Sequence, residues 1–138
     1  MSYLLDTDIV SNPLKKQASL SLLRHLARVP AEEQYTSTIT VGEMTFGAVR
    51  SSRPEELLQQ IKTIAWANLQ ILPFDFEAAQ IYGRVRAALE KNGTPVSEPD
   101  LRIAAIAISR GLTLVTGNER HFRHIQGLQV ENWLREDE

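Results

Sequence analysis

Cysteine is absent from the chain, which excludes disulfides, thiolate nucleophiles and cysteine-ligated zinc and leaves oxygen or imidazole as the only metal ligands. Long apolar runs are missing as well, since none approaches the roughly 18 residues that span a bilayer. The N-terminus has neither the basic region nor the apolar stretch of a signal peptide. These absences predict a soluble, cytoplasmic protein with no membrane association. An excess of one charge is also lacking. With 15 lysines and arginines against 17 acids and a formal net charge of −2, the composition does not announce a nucleic-acid binder. If four acids were gathered at one metal site, 15 basic residues would face 13 acidic ones elsewhere, so a modestly positive rim remains compatible. There are no repeats, linkers or low-complexity tracts. The 138 residues, 43% of them hydrophobic, suffice for one core, so a single domain over 1–138 is expected, with the acidic end REDE frayed.

What is present is an alternation of short apolar runs with longer amphipathic segments, the pattern of an α/β fold. Tyr3 to Leu5, Tyr35 to Ile39, Leu69 to Leu72, Leu112 to Val115 and Leu128 to Val130 have strand length. Between them, Leu20, Leu23 and Leu26 mark one helix face. Leu57, Leu58, Ile61, Ile64 and Ala65 mark a second, and Ala78, Ile81, Tyr82, Val85 and Leu89 a third. The segment LRIAAIAI, Leu101 to Ile108, is apolar nearly all round and reads as a buried helix ended by Gly111. Pro54, Pro73, Asn92-Gly93 and Pro99 signal helix breaks. The economical architecture is a central, mostly parallel sheet of about five strands with helices on both faces.

In such a sheet, ligands bind beyond the carboxyl ends of the strands. The stretch YLLDTDIVS places Asp6 at one of these ends with Thr7 and Asp8 behind it. One reading makes these residues caps of the following helix. The same holds for TVGEM, Thr40 to Met44, and SEPDL, Ser97 to Leu101, where a hydroxyl residue precedes an acid by three positions. Glu43 and Asp100 would then merely complement helix dipoles. Ser52-Arg53-Pro54-Glu55 repeats the spacing without any functional reading. Taken jointly, however, Asp6, Glu43 and Asp100 could meet at one sheet edge. An acid cluster without matching bases at fixed spacing suggests a hard divalent cation, Mg²⁺ or Mn²⁺, held by oxygen ligands. LVTGNERHF adds Thr116, Asn118 and Glu119 as further oxygen donors, or simply a Gly117-Asn118 turn. His121 and His124 lack the partners of a zinc site.

These stretches together resemble a known family. YLLDTDIVS, TITVGEMTFGAVR, GTPVSEPDLRIAAIAISRGLTLVTGNERHF and IQGLQVENW are similar to PIN-domain ribonucleases, and among them to the VapC-type toxins of bacterial toxin–antitoxin pairs. The resemblance implies that Asp6, Glu43 and Asp100 bind Mg²⁺ or Mn²⁺ and catalyse RNA hydrolysis, with Asn118 tuning the metal or a water. Thr7, Asp8, Thr116 and Glu119 would be accessory. It also implies a homodimer and an antitoxin that blocks the acidic pocket, with DNA bound only through that antitoxin. Two departures stand out: Asn118 occupies a position where many members carry aspartate, and Asp8 one where asparagine or serine is frequent. Arg50, Arg102, Arg120 and Arg123 lie near the expected ligands in sequence and are candidates for phosphate contacts. Two alternatives compete: an aspartyl-phosphate phosphatase using Asp6 and Asp8, and a dimeric regulatory or binding module whose acids are all caps.

Overall fold

Successive side chains of a strand point to opposite faces of its sheet, so a strand that is apolar at adjacent positions must be covered on both sides. The first strand, β1 (Tyr3–Leu5), is such a case. Leu4 packs with Leu114, Ala78, Leu89, Ile103 and Ile106 on one face. Leu5 packs with Val115, Ile9, Leu22, Met44 and Trp133 on the other. The computed structural model describes residues 1–136; Asp137 and Glu138, the last part of the REDE end, lie outside the described residues. After β1 come α1 (Thr7–Ser11), α2 (Leu20–Arg28), β2 (Gln34–Ser37), α3 (Thr38–Arg50), α4 (Pro54–Gln60), β3 (Gln70–Leu72), α5 (Phe76–Lys91), α6 (Glu98–Arg110), β4 (Thr113–Val115) and β5 (Val130–Glu131). The five strands form one sheet in the order β3-β2-β1-β4-β5. Every pairing is parallel.

The fold class and the strand count agree with the sequence reading. The apolar helix α6 has Ile103, Ala104 and Ala107 fully buried, and Gly111 closes it in the left-handed region at φ 64°, a conformation that costs glycine little. β3 and β4 begin one residue later than the sequence reading, and β5 spans Val130–Glu131 and not Leu128 to Val130; two further differences have a local cause. β2 stops at Ser37 instead of running to Ile39, because the Ser37 hydroxyl accepts a hydrogen bond from Thr40 N at 3.1 Å and starts a helix there. The β-branched run TSTIT favours a strand locally, but the cap and the packing of α3 prevail. The amphipathic stretch after Pro54 is not one helix: α4 passes at Ile61 into a wider π-type turn that ends at Ala65, with Trp66 N donating to Ile61 O at 2.9 Å. Arg53, not Ser52, stands at the cap of α4. No helix among the described residues is long and apolar enough to cross a membrane.

Candidate active site

The strand order makes the site. From β1 the chain proceeds to β2 and β3 on one side, then crosses to β4 on the other, so the connections leaving β1 and β4 part at their carboxyl ends and open a crevice there. Asp6 leaves β1 into this crevice, and Thr116 to Asn118 leave β4.

Asp6 is only 5% exposed. Its backbone N donates to Val115 O at 2.9 Å, which continues the sheet by one residue. Oδ1 accepts from Thr7 N at 2.8 Å, so Asp6 does cap α1. Oδ2 accepts from the Thr116 hydroxyl, also at 2.8 Å. These bonds do not fully offset the loss of water. Burial pushes the Asp6 carboxyl up to about 6; the hydrogen bonds from Thr116 and Thr7 oppose the rise, while Asp8 and Asp100 add to it by charge repulsion. The remaining acids arrive from separate elements. Thr7 Oγ1 donates to Glu43 Oε1 at 2.6 Å and lies 3.1 Å from the Thr40 hydroxyl, which ties the start of α1 to α3. Because Ser37 is the cap of α3, Glu43 sits in the second turn and not the first, and TVGEM is not a capping box. Asp100 is in the first turn of α6, where Ser97 occupies the cap position without making a side-chain bond. The other candidate box therefore has the expected place but not the expected hydrogen bond.

Asp8 ties α1 to the loop after β4. Its Oδ2 accepts from Gly117 N at 2.9 Å and from Asn118 Nδ2 at 3.5 Å, whereas Oδ1 is buried with no hydrogen-bond partner among the described residues. Burial raises the Asp8 carboxyl as well, against the Gly117 hydrogen bond, and Asp100 contributes to the rise. Thr116, fully buried, accepts from Asn118 N at 3.0 Å while donating to Asp6. Gly117 is required by space: a Cβ there would stand 2.6 Å from both Asp8 Oδ2 and Leu134 Cδ1. Gly117→Ala is therefore expected to displace the Asp8 carboxylate and to cost about 1–2 kcal/mol of stability. A urea melt, with a Mn²⁺ titration beside it, checks both parts, and an unchanged midpoint with unchanged metal affinity contradicts the crowding argument.

Other candidates are placed differently. The Glu119 carboxylate turns to Asn132 Nδ2 at 3.2 Å and to Arg135. Arg102 pairs with Glu98 at 3.1 Å and covers the rings of Phe74 and Tyr82. Arg50 lies over Phe46, 5.1 Å from the ring centroid. Arg123 is exposed, and Arg120 lines a groove with Asp100 and His121. Sequence reasoning missed His121 as a neighbour of the acids: its Nδ1 lies 3.1 Å from Asp100 Oδ2. In sequence the histidine pair reads only as an incomplete zinc site, and nothing local in TGNERHF reveals the contact.

Among the described residues, no three histidine or acidic side chains stand close enough together to hold a metal ion as placed. The chemistry of the crevice nevertheless suits a hard cation. The charged groups it brings toward Asp6 include the carboxylates of Asp8 and Asp100, one buried oxygen of Asp8 is unpartnered among the described residues, and a cation would offset the burial, and the smaller charge repulsion, that raise Asp6 and Asp8.

The profile of the PIN domain matches residues 3–128 of the chain. Ribonuclease VapC2 of Haemophilus influenzae is 36% identical over 134 residues, covering 97% of this chain and 99% of the relative. The tRNA(fMet)-specific endonuclease VapC of Salmonella typhimurium is 34% identical, with 96% and 98% covered. Among solved structures, VapBC2 from Rickettsia felis bound to a DNA fragment from its promoter superposes with a TM-score of 0.87 at 32% identity, covering 96% of this chain and 99% of that one. Sequence and fold agree: the chain belongs to the PIN-domain family and, within it, to the VapC group.

Proposed function

We propose that the protein is a Mg²⁺- or Mn²⁺-dependent endoribonuclease and the toxin of a toxin–antitoxin pair. The observation that carries this reading is Asp6, buried at the crevice between β1 and β4 and held near a pKa of 6 by burial and by the neighbouring Asp8 and Asp100. A buried carboxylate in that position, held by two hydrogen bonds alone, is only partly compensated until a cation arrives. Asp6, Glu43 and Asp100 would hold the metal, with Asp8 as a further donor. A divalent cation bound there supplies activation of water and charge neutralisation on a phosphodiester. The chain's own part is positional. Thr116 and Thr7 N fix both oxygens of Asp6, the Thr7 hydroxyl steers Glu43, and Asp8 holds the loop that carries Asn118. The names of the relatives favour RNA as the substrate.

An antitoxin peptide and a second copy of the chain are the proposed protein partners. Solved relatives include VapBC2 from Rickettsia felis and VapBC from Salmonella typhimurium, each bound to DNA, and a member of the VapBC family of toxin–antitoxin systems from Mycobacterium tuberculosis. In support, an apolar groove of about 480 Å³ runs past Val10, Leu23, Leu26, Ile64 and Leu69, and α3 exposes Phe46 and Val49. Induced expression in a bacterial host is expected to halt growth and deplete intact RNA, and Asp100→Asn is expected to grow normally at equal protein level. Equal arrest by both would contradict the reading.

A further inference from the structure

Beside the carboxylates runs a groove of about 420 Å³ between the segment Thr94 to Ser97, which joins α5 to α6, and the turn that follows β4. Asp100 takes part in its lining, and so do Arg120, His121 and His124. The only acid in this lining is Asp100 itself. Arg120 forms no ion pair with any carboxylate among the described residues, in contrast to Arg86, Arg102 and Arg135. A second hollow of about 280 Å³ lies on the other side of Arg120 and His121. That hollow also holds Glu119, whose carboxylate binds Arg135 and Asn132, and it has no apolar side chain in its lining. The hydroxyls of Thr94 and Ser97 add hydrogen-bonding groups on the opposite bank, and the Ser97 hydroxyl makes no capping bond. Pro95 and Val96 give it an apolar stretch.

We infer that this groove is a nucleotide subsite, which takes the phosphate and sugar of the RNA nucleotide adjacent to the one held over the acids. This rests on the ribonuclease reading. Arg120 and His124 contact the phosphate, because an unpaired guanidinium and an imidazole flanking one channel match a phosphodiester. The apolar bank receives the ribose or the face of a base, the usual way single strands are gripped. His121 is a positioning residue, joining the groove to Asp100 through their 3.1 Å contact. RNA would thus leave the crevice toward the α5–α6 connection, and not toward β5.

The test is binding of a short, end-labelled single-stranded RNA of mixed sequence to the full chain in EDTA, followed by fluorescence anisotropy across a salt series. Wild type, the double variant Arg120→Ala/His124→Ala, and Arg53→Ala are compared, the last altering a surface pair with Glu56 on α4. All three substituted side chains are exposed, and thermal melts confirm folding. The double variant is expected to bind roughly tenfold more weakly, with a salt slope lower by about one, while Arg53→Ala matches wild type. With Mg²⁺ present, the same variant should raise KM and leave kcat nearly unchanged. Affinity and slope equal to wild type, or no binding of the RNA by wild type, would overturn the subsite. The two readings fail separately. Wild type that binds through this groove yet never cleaves refutes the ribonuclease reading alone. Wild type that cleaves with metal and ignores the double substitution refutes the groove alone.

Discussion

Asp6→Asn is expected to abolish cleavage and, in metal-free buffer, to make the protein more stable. The carboxyl at position 6 is raised from its ordinary value of 3.8 to about 6, and a shift of that size corresponds to about 3 kcal/mol of cost for the ionised form at neutral pH. An amide removes that cost. It keeps an oxygen for Thr7 N but presents an NH₂ to Thr116, whose hydroxyl must turn, so a gain of about 2 kcal/mol is the reasonable expectation. For a domain of this size that is a rise in Tm of about 5–10 °C. The pH dependence has a definite sign. Below about 4 the carboxyl is protonated in both folded and unfolded chains and contributes nothing. Between about 4 and 6 the folded chain holds the proton and the unfolded chain does not, so stability attributable to this group grows as the pH falls from 7 toward 4. Above about 6 both are ionised and the folded state bears the whole cost. The difference in Tm between Asp6→Asn and wild type should therefore be largest at pH 7 to 8 and close to zero near pH 4. Saturating Mn²⁺ should reduce it at pH 7 by stabilising wild type alone. A variant that melts below wild type in EDTA at pH 7 would show that Asp6 is a structural cap first.

Asp8→Asn is expected to weaken metal binding by about 10- to 100-fold, the range seen when groups that support a metal site are removed. The reason is the asymmetry of this carboxylate. Oδ2 is engaged by Gly117 N, and an asparagine oxygen can take over that bond, but Oδ1 has no partner and would be replaced by an NH₂ that cannot donate electrons to a cation. The neighbouring Asn118 makes the argument stricter. Its Nδ2 lies 3.5 Å from Asp8 Oδ2, so a carboxylate at position 118 would occupy nearly the same place. Asn118→Asp in the Asp8→Asn background is expected to recover much of the lost affinity, whereas the same change in wild type sets two acids side by side and lowers metal-free stability. Calorimetric titration with Mn²⁺ on all four proteins reads the cycle. Additive effects, with no recovery in the double variant, would mean that the two positions do not share a ligand role.

Strand count, layer arrangement and the burial of α6 were legible in the sequence because each rests on local patterns that packing reinforces. Leu4 and Leu5 show this well: two adjacent apolar residues in a short strand already require cover on both faces. Glu43 shows where such reading ends. Thr40 and Glu43 have capping-box spacing, yet Ser37 caps the helix one turn earlier, because the competition between hydroxyls is decided by where the strand stops pairing. The role of Thr7, which hydrogen-bonds Glu43 across 36 positions of sequence, and the contact of His121 with Asp100 follow from tertiary placement and have no signature of their own. The same is true of Gly117, whose residue type suits a turn but whose necessity comes from Asp8 and Leu134. Arg102 is a further case: closeness in sequence to Asp100 suggests a phosphate contact, while the pairing of its guanidinium with Glu98 and two rings follows only from the fold.

The most direct test of the metal-dependent site is cleavage of a mixed single-stranded RNA pool by the purified protein with Mg²⁺, with Mn²⁺ and with EDTA, beside Asp100→Asn prepared identically. Cleavage that requires either ion, stops in EDTA and falls at least about a hundredfold in Asp100→Asn is the predicted result. Cleavage that persists in EDTA, or that Asp100→Asn retains in full, would contradict it.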